Sequence, residues 1–278
     1  MGEMMRDTEL TADNAEFVSD TRQKLHICEV CGEPTEMYHP DWFYESFPGF
    51  CRSPLHRKCA CERSRDAAEQ EERRKREHEQ KVLQLLDRCF NGNRLMRNMT
   101  FAASAAENAA VAACRKYADA WEKVRKDNLG LILWGDVGTG KSYMAACIAN
   151  ALIEQEIPVL MINLGDVMNA SFEAREELMK QIKQSALLII DDFGMERETD
   201  FGMEIAFQVI DARYQSRKPM IITTNRSIKA LQAPGDLAHK RIYDRILEVC
   251  APVHFKGTSL RPDIHRQKMD LFREILSE

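Results

Sequence analysis

The eight residues GDVGTGKS, at positions 135–142, decide the fold of this chain. They satisfy the pattern G-x-x-x-x-G-K-[ST], and they follow an apolar run, LGLILWG, and precede a segment with helical character. Gly135, Gly138 and Gly140 let successive backbone N–H groups face one point at a helix N-terminus, where a phosphate can be held. The stretch therefore predicts a phosphate-binding loop between a buried strand and a helix, rather than a glycine-rich turn that merely packs well.

The residues of this loop have separate predicted roles. Lys141 would reach the β- and γ-phosphates of a nucleoside triphosphate, and the Ser142 hydroxyl would ligate Mg²⁺. The full set of predicted nucleotide-binding residues in the loop is Gly135, Asp136, Val137, Gly138, Thr139, Gly140, Lys141, Ser142 and Tyr143.

Two later apolar runs end in polar side chains. LLIIDD ends in Asp191 and Asp192, and IITTN ends in Asn225. Because the carboxyl ends of parallel strands meet at one edge of a sheet, these residues should lie beside the phosphate loop. Asp191 is the predicted second ligand of Mg²⁺, Asp192 would orient and deprotonate the attacking water, and Asn225 would hold a water near the γ-phosphate. The alternative for each is a polar strand end followed by a turn.

Apolar runs and helical segments alternate through the second half of the chain. Strands are predicted at LGLILWG, PVLMINL, ALLIIDD and PMIITTN, with helices over 141–156, 165–184 and 201–216 between them. Continuous apolar runs separated by helices indicate an α/β fold with a parallel sheet between helices. The Ala-rich residues 103–126 predict a long amphipathic helix ahead of the first strand.

Composition narrows the class of protein. The chain has 278 residues, of which 44% are apolar, and a net charge of −5, which argues against a binder of nucleic acid that is cationic overall. Its first residues are polar and acidic, without a secretory signal, and its aliphatic runs are too short to span a membrane. Nine cysteines, an odd number, fit a reducing compartment in which some thiols hold metal. These features predict a cytoplasmic protein.

Changes in composition predict four regions. Residues 1–25 form a flexible N-terminal arm, 26–61 a cysteine-rich zinc-binding module, 62–94 a charged helical linker, and 95–278 the ATPase domain. The linker assignment rests on ERSRDAAEQEERRKREHEQK, which has equal numbers of acidic and basic side chains and no Gly or Pro.

The cysteine-rich module contains two closely spaced pairs of thiols, in CEVCG and KCACE. The predicted zinc ligands are Cys28, Cys31, Cys59 and Cys61. Four thiolates would close a tetrahedron around Zn²⁺, and Cys51 and His56 remain rivals for one position. The alternative is a set of scattered buried or reactive thiols. Five of the nine cysteines cluster in this region, which argues against that alternative.

Five motifs in one order carry a family resemblance. GDVGTGKS, LLIIDDFG, TTN, RIYDR at 241–245 and GTSLR at 257–261 resemble the AAA+ ATPases of the replicative-helicase-loader type, the DnaC and DnaI-like proteins and the related IstB-like ATP-binding proteins. The resemblance spans about residues 95 to 275. It implies a P-loop NTPase of the AAA+ class, in which the sequence that follows GTSLR is too short for a full helical lid.

The same resemblance implies roles for three polar residues. Asn225 matches the sensor of the γ-phosphate, and Arg245 matches the arginine finger offered to a neighbouring subunit, with Arg241 the less favoured candidate. Arg261 matches the second sensor arginine. A finger that acts on another subunit implies self-association into a ring or spiral. Because Asp192 stands where many AAA+ proteins have Glu, ATP hydrolysis is expected to be slow.

The function implied by this resemblance is ATP-dependent loading of a hexameric replicative DNA helicase onto single-stranded DNA at replication initiation. The cysteine-rich module resembles the zinc-containing domains with which such loaders hold the helicase. The implied cofactors are ATP, Mg²⁺ and Zn²⁺. Two alternatives stay open: a nucleotide-gated adaptor in which hydrolysis is incidental, and an IstB-like ATPase that selects target DNA for a transposase.

Three segments have two interpretations each. By resemblance, Arg175, Lys180 and Lys183 lie where related proteins contact single-stranded DNA, although they equally suit the solvated face of an ordinary helix. Asn98 and Phe101 lie where loader-like ATPases contact adenine. An aromatic run in the cysteine-rich module suits either a partner interface or a small core. Its members are Trp42, Phe43, Tyr44, Phe47 and Phe50.

Overall fold

The computed structural model describes most of the chain in two compact units, Met1–Glu77 and His78–Glu278. The structure describes residues 24–50, 52–104, 108–194, 199–233, 236–259 and 261–277. Within the last range, it does not describe the side chains of residues 261–265, 267, 271 and 277. Nearly all of the predicted N-terminal arm, the rival zinc ligand Cys51 and the Arg261 side chain therefore lie outside the described residues. The region boundaries at 25, 61 and 94 stay predictions.

The first unit is small and has little apolar interior. Strand β1, Glu36–Met37, pairs antiparallel with strand β2, Leu55–His56, and helix α1, Asp41–Ser46, lies between them in the sequence. Within the described part of this unit, Tyr44 and Cys59 are the only buried side chains. Apolar burial alone therefore contributes little to its order.

Helix α2, Ala60–Phe90, is longer than the charged stretch alone predicts. Its charged part carries exposed ion pairs at i,i+4 spacing, such as Arg65 with Glu69 and Arg73 with Glu77. The helix continues without a break through VLQLLDRCF, where Val82 and Phe90 are buried. The more apolar stretch is thus the last part of the same helix.

The second unit is built on a parallel five-stranded sheet with the order β4-β5-β6-β3-β7. The strands are β3 Gly130–Gly135, β4 Val159–Asn163, β5 Leu187–Asp191, β6 Met220–Thr224 and β7 Cys250–Phe255. Four of them match the predicted apolar runs. Strand β7 was not predicted; it pairs with β3 at one edge of the sheet, with an exposed proline, Pro252, opposite Ile132.

Helices precede, connect and follow these strands. They are α3 Arg94–Arg97, α4 Ala109–Asp119, α5 Trp121–Lys126, α6 Lys141–Ile153, α7 Leu164–Asn169, α8 Phe172–Gln184, α9 Asp200–Gln215, α10 Ile228–Gln232, α11 Leu237–Val249 and α12 Arg261–Ser277. The single Ala-rich helix predicted over 103–126 is instead the pair α4 and α5. Ala120 separates them because its backbone, with φ −92° and ψ 22°, leaves the helical region.

The core lies on both faces of the sheet. Leu133 of β3 belongs to a buried cluster with residues of α4 and α6, such as Ile148, whereas its neighbour Ile132 belongs to a second cluster with residues of α9 and α11, such as Ile210 and Ile246. Successive residues of a strand point to opposite faces, so one strand feeds both clusters. The result is the predicted three-layer α/β arrangement, in which the sheet edge at the ends of the strands is left for a site.

A buried arginine fixes one end of helix α8. Arg213 of α9 is fully buried, and it donates hydrogen bonds to the carbonyl oxygens of Ile182, Ser185, Ala186 and Pro219 at 2.5–3.1 Å. Burial lowers the pKa of this guanidinium to about 9, which leaves it charged at neutral pH. A cation at the C-terminal carbonyls of a helix also complements the helix dipole. Arg213 therefore ties α8 to α9 and to the starts of β5 and β6.

The structure also bears on the predicted absence of membrane spans. None of the helices in the described parts of the chain is long and apolar enough to cross a bilayer.

Candidate functional site

The phosphate loop leaves β3 and enters α6 through a backbone that only glycine suits. Gly138 has φ 83°, in the left-handed region, and a Cβ placed on it would overlap the Ser259 hydroxyl. The loop is therefore packed against Ser259 of the GTSLR segment. Val137 at its tip is exposed. The structure thus gives a strand, a glycine-dependent loop and a helix in the order that the motif requires.

Lys141, the lysine of the motif, is buried within this loop. Its Nζ donates hydrogen bonds to the carbonyl oxygens of Gly135 at 2.8 Å and Asp136 at 2.7 Å. The Thr139 hydroxyl also donates to Asp136 O, at 2.8 Å. Carbonyl oxygens are neutral acceptors, so an anion at the loop would be a stronger partner for this ammonium group.

The start of α6 differs from the starts of other helices in the same unit. Asn108, Ser171 and Thr199 cap their helices with side-chain oxygens, whereas Gly140 precedes α6 and has no side chain. The first N–H groups of α6 are thus not capped by the preceding residue, and the positive end of the helix dipole lies with them. Ser142 is in this first turn. The loop therefore fits a phosphate group, whose oxygen atoms accept hydrogen bonds from N–H groups at the start of a helix.

The two predicted acids lie where β5 ends, and their position is set by Thr223 of the neighbouring strand β6. The Thr223 hydroxyl donates to Asp191 Oδ1 at 2.6 Å, and it accepts a hydrogen bond from the Asp192 backbone N–H at 2.9 Å. Asp192 has φ 53°, which is uncommon for a residue with a side chain. Asn163, at the end of β4, donates to Asp191 O at 3.4 Å.

Sequence reasoning missed Thr223 and Asn163. Both stand at the ends of apolar runs, and the only signal was the register of the strands, which the sequence does not show. In the sheet, Asn163 pairs with Asp191 and β6 lies on the other side of β5. The structure therefore brings the ends of β4, β5 and β6 to the same sheet edge as the phosphate loop.

Of the two residues predicted to sense the phosphates, the structure describes the side chain of only one. Asn225 directly follows β6 and is half-buried at the same sheet edge. Arg261 opens helix α12, and its side chain lies outside the described residues. The role of each remains a prediction.

The predicted arginine finger, Arg245, is engaged within its own chain. Its guanidinium lies 2.8 Å from Asp211 Oδ1 and stands over the rings of Phe207 and Tyr214, at 4.8 and 5.8 Å from their centroids. These contacts hold α11 against α9. Arg241, one turn earlier, is exposed and makes no side-chain hydrogen bond or ion pair within the described chain. Arg245 must leave the contact with Asp211 before it can act on a neighbouring subunit.

The predicted adenine contacts lie beside the start of α6. The Tyr143 hydroxyl donates to Thr100 O at 3.4 Å, and burial raises the pKa of this tyrosine. Arg115 lies over the Phe101 ring, 5.3 Å from its centroid. Asn98 ends helix α3. The segment 98–101 is thus in contact with the residue that follows the P-loop serine.

The predicted DNA-contacting residues line a groove between α8 and α9. This α8–α9 groove has a volume of about 470 Å³ and contains two exposed aromatic side chains, Phe172 and Phe201. Arg175 lies over the Phe201 ring, and it also donates to the carbonyl oxygens of residues 167, 168 and 170. Lys180 lies 3.7 Å from Glu177. Lys183 lines the groove as well, so two aromatic rings and three cations share it with the carboxylates of Glu176 and Glu204.

The four cysteines predicted to bind zinc come together in the first unit. The sulfur atoms of Cys28, Cys31, Cys59 and Cys61 all lie within 4.8 Å of one another. A ZnS₄ tetrahedron with bonds of about 2.3 Å has edges of about 3.8 Å, so the four sulfur atoms are near enough to one another to be ligands of one zinc ion. His56 Nε2 instead lies 3.9 Å from Glu62 Oε2.

The electrostatics of the cysteine cluster also favour a cation. Backbone hydrogen bonds from Glu33 and Cys61 lower the pKa of Cys31 to about 6. The hydrogen bond with Cys31, together with burial, raises the pKa of Cys61 to about 12. The two neighbouring thiols therefore oppose each other's ionisation. A bound divalent cation would remove this conflict, because it stabilises all four thiolates.

The aromatic run of the first unit is divided between interior and surface. The Phe43 ring contacts those of His39, Phe47 and Phe50, with centroids 4.0–5.2 Å apart. Tyr44 is buried, whereas Trp42, Phe47 and Phe50 are largely exposed. Part of the run is thus a small core and part is apolar surface.

Comparison with known proteins agrees with the motifs. The family model described as IstB-like ATP binding protein matches residues 62–268. The replicative helicase loader DnaC of Escherichia coli K12 is 31% identical over 122 residues, which cover 41% of this chain and 49% of that protein. The replicative helicase loader DnaI of Bacillus subtilis is 27% identical over 153 residues, covering 48% and 47%. The chain spans about half the length of these relatives.

Solved structures support the fold. A crystal structure of DnaI superposes with a TM-score of 0.51 at 20% identity, covering 60% of this chain and 92% of that one. A crystal structure of the DnaC helicase loader superposes with a TM-score of 0.50 at 22% identity, covering 59% and 99%. At these identities the likeness concerns the fold alone. The resemblance that the ordered motifs predict is confirmed by the family match and these relatives together.

Proposed function

Because this chain belongs to the family of IstB-like ATP binding proteins, we propose that it is an ATPase that loads a hexameric replicative DNA helicase onto single-stranded DNA. The observation that carries the proposal is the sheet edge, where the buried Lys141 of the phosphate loop and the acids at the end of β5 are assembled. The helicase-loader names of DnaC and DnaI support the choice of role.

In this proposal the sheet edge binds and hydrolyses ATP. Lys141 and the first N–H groups of α6 hold the phosphates, and Ser142 and Asp191 hold Mg²⁺. Bound Mg²⁺ supplies positive charge that offsets the negative charge of the phosphate oxygens. Asp192 accepts a proton from the attacking water, which Asn225 helps to hold. Because the Asp192 carboxylate is one methylene shorter than that of Glu, hydrolysis is slow.

In this proposal the chain self-associates, because Arg245 acts on the nucleotide of a neighbouring subunit. When a second copy of the chain docks, Arg245 exchanges Asp211 for the phosphates of its neighbour, and Arg241 is the alternative donor. A guanidinium at a transferring phosphoryl group stabilises the charge that develops on it. Hydrolysis is therefore faster in the assembled ring or spiral than in the monomer.

The cysteine cluster binds Zn²⁺ and orders the first unit in this proposal. Zn²⁺ supplies a structural link between the turn at Cys28 and the start of α2. The unit would then present Trp42, Phe47 and Phe50 to the helicase, because exposed aromatic side chains are typical anchors of protein interfaces.

Single-stranded DNA is assigned to the α8–α9 groove. Exposed aromatic rings stack with bases, and nearby cations neutralise phosphates, so Phe172, Phe201 and Lys183 suit a strand without sequence preference. The net charge of the whole chain is negative, so such binding is local and falls as salt rises.

The family match also favours a second candidate, selection of target DNA for a transposase, since the model is named for IstB-like proteins. The two functions differ in the partner.

The full-length chain is mixed with the replicative helicase of its own source, primed single-stranded DNA and ATP with Mg²⁺, and helicase bound to DNA is measured. We expect the wild-type chain to load the helicase, and we expect Lys141→Ala and Asp192→Asn to abolish loading. A chain that binds ATP but captures a transposase and no helicase would instead establish the second candidate.

A further inference from the structure

We infer that Thr223 is a positioning residue for the divalent cation of the nucleotide site, because its one hydroxyl fixes the Asp191 carboxylate and the Asp192 backbone at the same time. The inference rests on the proposed binding of ATP with Mg²⁺. It adds a residue of strand β6 to a site whose predicted ligands come from the phosphate loop and β5.

The direction of both hydrogen bonds is fixed by chemistry. A hydroxyl has one proton to donate, and a backbone N–H can only donate. The N–H of Asp192, 2.9 Å from Thr223 Oγ1, must therefore point at the oxygen, and the hydroxyl proton is left for Asp191 Oδ1 at 2.6 Å. Thr223 is fully buried, so no exchange with bulk water competes with this arrangement.

This arrangement leaves one carboxylate oxygen of Asp191 for a cation. Oδ1 is bonded to Thr223, and Oδ2 accepts no hydrogen bond from any residue that the structure describes. Asn163, on the other side of β5, reaches only the backbone carbonyl of Asp191. Thr223 thus holds the rotation of the carboxylate, which is the property that a metal ligand needs from its supporting residue.

The same strand holds the turn that follows. The Phe193 N–H donates to Thr223 O at 2.9 Å, and the Thr224 hydroxyl donates to Phe193 O at 2.8 Å. Asp192, with φ 53°, lies between two residues that are bonded to Thr223. Removal of the Thr223 hydroxyl alone leaves the backbone bond of Phe193 in place. The expected defect is therefore in the orientation of the acids and not in the fold of the sheet.

The experiment measures cation binding apart from turnover. The affinity of the full-length chain for a fluorescent ATP analogue is measured in EDTA and during Mg²⁺ titration. The Mg²⁺ concentration that gives half of the gain in affinity, the Mg²⁺ midpoint, is recorded. Thr223→Val, which keeps the shape and removes the hydroxyl, should raise that concentration by about tenfold, the scale on which supporting residues act on metal sites. Affinity in EDTA should stay within about twofold of wild type.

Two further variants isolate the hydroxyl. Thr223→Ser should keep the wild-type Mg²⁺ dependence, and Thr223→Ala, which differs from it only by the hydroxyl, should behave like Thr223→Val. Thr224→Val removes a neighbouring buried hydroxyl that does not contact Asp191, so it should not shift the Mg²⁺ midpoint.

The results that overturn the inference are distinct from those that overturn the proposed function. A wild-type Mg²⁺ midpoint in Thr223→Val and Thr223→Ala would refute the role of Thr223, as would equal defects in the Ser and Ala variants. Loss of binding in EDTA as well as in Mg²⁺ would also refute it, because Thr223 would then support the whole site. If the wild-type chain binds no nucleotide, the proposed function itself fails.

Discussion

The two units of the chain achieve order by opposite means. In the second unit, two apolar clusters cover both faces of a parallel sheet, and each fully buried Leu or Ile contributes about 1.5–3 kcal/mol. In the described part of the first unit only Tyr44 and Cys59 are buried, while four sulfur atoms meet within 4.8 Å. A core tolerates the loss of one member, whereas the zinc site that we propose for these four sulfur atoms would lose its geometry with one ligand. The two units should therefore fail under different treatments.

The largest expected effect is the loss of structure in the first unit on removal of metal. We expect one Zn²⁺ per chain, and we expect a chelator or Cys61→Ser to expose residues 24–59 to rapid amide hydrogen exchange. The second unit should keep its thermal transition and its affinity for ATP.

Cys51→Ser is the matched control, since Cys28, Cys31, Cys59 and Cys61 already complete a tetrahedral set. Retention of zinc by Cys61→Ser together with its loss from Cys51→Ser would reassign the ligands.

The second-largest expected effect is the loss of the buried hydrogen bonds that Arg213 makes in the second unit. Arg213→Met removes donors to four carbonyl oxygens in a buried site, so the free energy of unfolding should fall by roughly 3 kcal/mol. Denaturant unfolding followed by circular dichroism measures it. The control Arg125→Met breaks only an exposed pair with Glu122 and should cost less than about 0.5 kcal/mol. Equal losses in the two variants would show that the bonds of Arg213 contribute no net stability.

A third effect separates backbone strain from steric overlap in the phosphate loop. Gly92 and Gly138 have φ of 80° and 83°, but a Cβ on Gly92 would meet nothing, whereas one on Gly138 would overlap Ser259. Gly92→Ala should cost about 1 kcal/mol from strain alone. Gly138→Ala should cost more and also weaken ATP binding, as measured by calorimetric titration. Unchanged ATP affinity in Gly138→Ala would contradict the placement of phosphate at this loop.

The smallest effect concerns pH. Lys81 and then His78 lower the pKa of Glu156, with His78 Nδ1 2.9 Å from Glu156 Oε1. Because the folded pKa is depressed, this stabilisation is present above the unfolded value of about 4.3 and is lost as pH falls through the folded value. Glu156→Gln should therefore lower Tm slightly at pH 7, and this difference should shrink as pH falls below the unfolded value. Glu154→Gln, an exposed neighbour without an ion pair in the described chain, should not change Tm over this pH range.

The sequence predicted the large unit well because its signals are local. Glycines at fixed spacing, apolar runs and the acids that end them are all read from neighbouring residues, and the loop and β3–β6 followed from them. In the first unit, the two closely spaced pairs of cysteines predicted the cluster in the same local way. Strand β7 was missed because CAPVHF contains a proline and a histidine and is buried only at its two ends. Its place in the sheet depends on pairing with β3, which is not a local property.

The parts of the site that the sequence did not predict depend on contacts across the fold. Thr223 is 32 residues from its partner Asp191, and Arg213 lies up to 31 residues from the carbonyls that it binds. Arg213 sits within a helix of mixed polarity, where an arginine ordinarily points to solvent. Likewise the pairing of Arg245 with Asp211 requires the packing of α11 on α9. Each of these needs the order of the strands before it can be inferred.

Pro252, the exposed proline of β7, has a consequence for the behaviour of the protein at high concentration. An outer strand of a sheet is a template on which another extended chain can add itself, and this addition starts aggregation. Proline supplies no N–H, so the outer margin of this sheet lacks one donor that an incoming strand would need. Pro252→Val would restore that donor and, without altering the fold, should make the protein more prone to fibrous precipitation.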